Sequence, residues 1–166
     1  MSDPVGTVAV VVSDGRNPDD SPEVVIDVER WRQLASAALT AEGATGELTV
    51  TFIDRGDIAD LNVQHMQGTG ETDVLAFPMD DEVPDGIPKL LGDVVVSPAV
   101  AASQYDTHAG TIDDELALLV VHGLLHVLGY DHAEPAERTQ MRERELQLLA
   151  AHHWQGAVPK GFRQEH

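Results

Sequence analysis

At 166 residues, 42% of them hydrophobic, the chain is sized for one domain with a real core and is too short for two comfortable ones. It has no cysteine, which excludes disulfides, iron–sulfur clusters and thiolate zinc sites and fits a reducing compartment. Ten basic residues stand against 29 acidic ones, and the formal net charge of −19 repels a polyanion at long range, although acidity also serves solubility or a salty cytoplasm.

No apolar run reaches the roughly 18 residues that span a bilayer, and Met1-Ser-Asp-Pro4 opens acidic, so a cytoplasmic protein without a membrane partner is expected. Gly6 to Ser13 is β-branched and bounded by turn residues, and reads as a buried strand. Asp14 to Pro22 is a loop by its turn chemistry. Glu23 to Ile26 leads into a helix that Asp27 can cap, running to about Glu42 with Val28, Trp31, Leu34, Ala35 and Ala38 on one stripe. Glu47 to Ile53 alternates as a half-exposed strand does. Asp54 resembles an N-cap for a helix through Leu61 toward Met66. Gln67 to Glu71 is a connector, and no Gly-Lys-Ser/Thr follows to make it a phosphate loop.

Asp73 to Phe77 is a short strand stopped by Pro78, Asp80 to Pro88 an acidic loop, and Leu91 to Ser97 another strand. Ser97-Pro98 opens a helix to about Thr107. Asp113 and Asp114 then place negative charge at the start of a further helix, where the macrodipole favours it. Pro135 opens a last helix through about His153, with Met141, Leu148 and Leu149 on its apolar side. Gln140, Glu143, Arg144 and Gln147 form its solvated arc. Arg138, Arg142 and Glu145 fall within the apolar arc, at spacings that allow ion pairs or solvated heads on buried stems. Strands followed by a run of helices give one α+β domain over residues 1–155, a small mixed sheet with about five helices, and a flexible tail over 156–166.

The chemistry is carried by His122-Gly-Leu-Leu-His126-Val-Leu-Gly129-Tyr-Asp-His132. On a helix, His122 and His126 differ by only about 40° and share a face. Gly129 follows where a helix that stops abruptly wants a residue free to turn left-handed, and the chain can then return His132 to the same point. Three neutral imidazoles leave one coordination position open for water, the layout of a catalytic zinc site. One zinc ion per chain is expected, although such ligands also accept nickel, copper or iron. Asp131 either orients a ligand histidine or caps the turn. His65, His108, His152, His153 and His166 have no ligand spacing with the triad. Asp73 and Asp93 lie near the expected cleft, with local structural hydrogen bonds favoured over proton transfer.

A zinc ion lowers the pKa of its bound water to about 7, so hydrolysis with that water as nucleophile is the economical reaction class. The metzincin pattern H-E-x-x-H-x-x-G-x-x-H is matched at every histidine and at the glycine, but Gly123 stands where the general-base glutamate would be. A metzincin-like hydrolase of another substrate would need a different base, whereas phosphodiester cleavage is easier to accommodate.

The same motif resembles the signature of the YbeY-type endoribonucleases, the rRNA maturation factors. The resemblance extends to Leu61-Asn62, to Thr72-Asp-Val-Leu-Ala-Phe-Pro78 and to Leu91-Gly-Asp93, and covers roughly residues 45–150. It implies a zincin-like domain with His122, His126 and His132 as ligands. It further implies a single-strand-specific endoribonuclease acting in 16S rRNA 3′-end maturation and ribosome quality control, with RNA as partner and no DNA. Many members carry a Tyr-Arg pair after Leu-Asn and a serine before the phenylalanine. This chain has His65-Met66 and Ala76 there. Without that arginine, Arg55 or Lys89 are the candidate substitutes for phosphoryl-charge stabilisation. The competing reading is a non-catalytic, metal-stabilised ribosome-assembly factor, whose acidic surface suits small-subunit ribosomal proteins or other assembly factors.

Overall fold

The structure is a computed structural model, and it describes residues 7–65, 70, 72–79, 89–131 and 133–164. Its elements in chain order are β1 (Val8–Asp14), α1 (Val28–Ala41), β2 (Gly46–Phe52), α2 (Arg55–His65), β3 (Val74–Pro78), β4 (Leu90–Val96), α3 (Pro98–Gln104), α4 (Ile112–Val127) and α5 (Pro135–Leu149). A 3-10 turn at Tyr105–Thr107 follows α3, and a π-helical turn at Ala150–Trp154 follows α5. This is the α+β domain with a mixed sheet and five helices that the pattern predicts. Most of the expected connector (67–69 and 71) and the expected acidic loop (80–88) lie outside the described residues.

The sheet runs in the order β1-β2-β4-β3. β1 pairs parallel with β2 and β2 with β4, while β3 pairs antiparallel with β4. Register puts Val10, Leu48, Gly92 and Pro78 in one row and Val50, Val94 and Ala76 in another. Leu48, Val50, Phe52, Val94 and Val96 are fully buried beneath the helices, so this is the core face. α1 packs on β1, and α4 packs on β3 and β4 and against α1 and α5. β2 alternates as its sequence does. β1 differs from the buried strand expected: it is the outer strand, only Val10 is buried, and Val11 is half exposed.

Capping follows the sequence at most ends. Asp27 accepts from Arg30 N at 3.2 Å and Ser97 Oγ from Val100 N at 3.2 Å as expected, while α4, for which the sequence suggested no cap, is capped by Thr111 Oγ1 accepting from Asp114 N at 3.1 Å. Asp54 does something else. Its carboxylate accepts from the backbone amide of Asn17 at 2.8 Å and from the Asn17 side chain, so it ties the loop after β1 to the start of α2. Every residue of α4 from Glu115 to Leu125 is buried, the signature of a helix enclosed on all sides. No helix among the described residues is long and apolar enough to cross a membrane.

Candidate metal centre

α4 is the element that positions the first two histidines. Gly123 sets how closely it lies on the sheet: a Cβ there would stand 2.6 Å from Val94 Cγ1 and 3.2 Å from Val74 Cγ2. The residue that breaks the metzincin pattern therefore faces the strands, and its lack of a side chain is what lets α4 settle onto β3 and β4. A glutamate at this position would be driven into Val94.

One turn apart, His122 and His126 come together with ring centroids 4.9 Å apart and planes at 77°. His122 is buried and His126 is half-buried, so the pair sits at the edge of the core. The helix then ends in a Schellman motif. Gly129 takes φ 104°, its N–H donates to His126 O at 3.0 Å, and Tyr130 N–H reaches back to Leu125 O at 3.0 Å. The Tyr130 hydroxyl donates to Glu42 Oε1 at 2.8 Å, where Arg144 also pairs with Glu42, so the turn is pinned to the end of α1 and to α5. Burial and the adjacent Glu42 carboxylate push the Tyr130 phenol above its ordinary range.

Asp131 is exposed and lines a cavity of about 250 Å³ with Leu128, Gly129, Tyr130, Glu137 and Gln140. His132 lies outside the described residues, as does Met66. Among the described residues, no three histidine or carboxylate side chains form a metal-binding set.

The pattern of spacings missed Glu145. It extends from α5 into the core, is 1% exposed, and places Oε2 2.6 Å from His122 Nδ1. A carboxylate only accepts, so this contact calls for a proton on His122 Nδ1, and in a neutral imidazole that leaves the lone pair on Nε2, the tautomer a metal ligand needs. On this chemistry the imidazole pair fits a divalent transition metal. The available signal was an acidic residue inside an apolar helical arc.

The other candidates have structural duties. Asp73 Oδ2 accepts from Gln104 Nε2 at 2.7 Å, and the same amide donates to the buried Glu115 at 2.9 Å, a structural hydrogen bond whose partner is 31 residues away and not local as expected. Asp93 is exposed on the strand. Arg55 donates from Nη2 to Ala99 O at 3.1 Å, which ties its guanidinium to α3. His65 stacks edge-on against Phe77, with centroids 5.9 Å apart.

Residues 17–153 match the family described as Endoribonuclease YbeY. A protein of that name from Thermobifida fusca is 44% identical over 134 residues, covering 76% of this chain and 86% of its own length. Its namesake from Rhodococcus jostii is 40% identical over 149 residues, covering 86% of this chain and 81% of its own. Among solved structures, the solution structure of TM1509 from Thermotoga maritima covers 91% of this chain and 98% of its own, with TM-score 0.53 and 19% identity, a likeness of fold.

Proposed function

The chain belongs to the YbeY endoribonuclease family and is a hydrolase acting on RNA, and from that premise we propose a metal-dependent, single-strand-specific mechanism. We assign it to 3′-end maturation of the small-subunit rRNA and to ribosome quality control. The observation that carries the metal reading is the His122–His126 pair on one face of α4, with His122 Nδ1 held by a buried carboxylate. His122, His126 and His132 would hold the ion, zinc by preference. When bound, such an ion supplies Lewis acidity, which activates water near neutral pH and draws charge from a phosphoryl oxygen.

What the protein itself contributes is placement. The Schellman turn redirects the chain just before Asp131 and His132, and the clamp of Tyr130 on Glu42 fixes where that turn sits. Gly123 supplies no base, and the Glu145 carboxylate is taken up by His122. The site therefore lacks the base at the position where the metzincin pattern carries it, which sets it apart from a metzincin peptidase.

The test is cleavage of single-stranded RNA by zinc-loaded protein, with bound metal measured on the same preparation. Activity and metal should both be lost in His126→Ala. Cleavage that survives the substitution would refute the assignment. The assembly-factor reading draws on the acidic composition, and ribosomal components co-purifying with His126→Ala would support it.

A further inference from the structure

The notable feature of Glu145 is that both of its oxygens are used. Oε2 meets His122 Nδ1 at 2.6 Å, and Oε1 accepts from Gln164 Nε2 at 2.8 Å. Gln164 belongs to the stretch read from sequence as a flexible tail. Its amide also donates to Arg142 O at 2.9 Å, one turn before Glu145 on α5. Two neighbouring contacts bring this stretch back to the body: Arg163 N donates to His108 O at 3.0 Å, and Phe162 packs edge-on against Trp154 at 4.7 Å.

Stability alone does not account for a carboxylate here. Position 145 shares its helix face with the buried Met141, Leu148 and Leu149, and a leucine would fill it without the desolvation that a buried carboxylate carries. What a leucine would not do is fix the ring of His122. Hydrogen bonds from outside the ligand shell hold metal-binding histidines in orientation and tautomer, and their loss weakens metal binding.

Resting on the metal reading above, we propose that Glu145 is the positioning residue for His122, and that Gln164, from the C-terminal stretch, completes the support by fixing the carboxylate. The site would then depend on a segment that follows the family-matched residues 17–153. That segment is part of the metal centre's scaffold.

The experiment measures Zn²⁺ affinity by competition with a chromophoric chelator, in the full chain, beside urea denaturation of the metal-free proteins. Glu145→Leu should weaken Zn²⁺ binding by about 10- to 100-fold. Glu145→Gln keeps an acceptor but no charge, and should fall between it and the parent. Gln164→Ala should weaken binding by a smaller factor, roughly 3- to 10-fold, with the visible spectrum of the Co²⁺-substituted protein altered in the same order. Metal-free stability should not follow that order. If Glu145→Leu does not fold, Glu145→Gln and Gln164→Ala carry the test. Zn²⁺ affinity within twofold of the parent in the folded Glu145 variants would overturn the proposal while His126→Ala still lost the metal. Undiminished binding by His126→Ala would instead overturn the metal reading beneath it.

Discussion

Replacing Gly123 by alanine tests whether α4 lies on the sheet because this residue has no side chain. The new Cβ would stand 2.6 Å from Val94 Cγ1 and 3.2 Å from Val74 Cγ2. Carbon atoms prefer about 3.5–4.0 Å, so the closer contact is roughly 1 Å too short. Val94 is fully buried and held between β2 and β3 partners, so it has nowhere to go. Overpacking of this kind costs about 1–3 kcal/mol, and alanine returns about 1 kcal/mol of helix propensity. The net expectation is a loss of about 1 kcal/mol, or about 2–4 °C in Tm for a chain of this size. A double-mutant cycle sharpens the test. Val94→Ala alone should cost about 2 kcal/mol, and in that background Gly123→Ala should become neutral or stabilising, a coupling of about 1–2 kcal/mol. Urea denaturation followed by circular dichroism measures all four proteins. Gly123→Ala at or above parental stability, with coupling under about 0.5 kcal/mol, would refute the packing argument. Gly123→Glu should be worse than alanine by several kcal/mol, because it buries an unpaired carboxylate among valines, so it would not restore a peptidase base.

Tyr130→Phe should cost about 1–2 kcal/mol through the lost hydrogen bond to the Glu42 carboxylate, read by thermal unfolding near neutral pH. Since the folded phenol ionises above its ordinary range, that contribution is complete below about pH 10 and is lost as pH rises through the higher folded value. Ultraviolet titration of the parent against Tyr130→Phe should show this tyrosine ionising last, and an ordinary value would contradict the burial argument. At the end of β1, hydrogen bonds from the Arg16 guanidinium hold the Asp14 carboxyl below its usual range. The stability it contributes should be present above about pH 3.9 and fade as pH falls through the depressed folded value. Asp14→Asn should thus lose its penalty at the acid end of a stability-against-pH series, and a pH-independent penalty would show that the ion pair is not its source.

Much of the architecture was legible because local signals and burial agreed. β2 reads as alternating in sequence and alternates in the sheet. Asp27 and Ser97 cap the helices they announce, and Gly129 makes the turn its position requires. The failures share a cause: they depend on partners distant in sequence. β1 has the composition of a buried strand, but whether a strand lies inside or at the rim is decided by the sheet order. Asp54 sits where a cap would, yet Asn17, on the loop after β1, claims its carboxylate. In the site, periodicity found His122 and His126, since four residues on a helix fix their relation. It does not show that Glu145, 23 residues later on another helix, aims at the first of them. Nor does it explain Gly123, which reads as a missing base until β3 and β4 are seen beneath it.

The acidic composition raises the question of how RNA is held, and the arginines supply part of the answer. Arg16 pairs with Asp14, Arg30 with Asp113, Arg32 with Glu29 and Arg144 with Glu42, so four of the ten basic residues are committed within the fold. Arg55 directs its guanidinium to a backbone carbonyl. The expectation is that phosphate contacts are few and that recognition draws on contacts to sugars and bases. Salt dependence makes that quantitative. For single strands the slope of log K against log salt is about −0.7 per phosphate neutralised, so one or two contacts give about −0.7 to −1.4, whereas six give about −4. Binding of the metal-loaded protein to a cleavage-resistant single-stranded RNA analogue, measured by fluorescence anisotropy across a salt series, should show a slope shallower than about −2. A slope of about −3 or steeper would mean that basic side chains do gather along the RNA path and would refute this expectation.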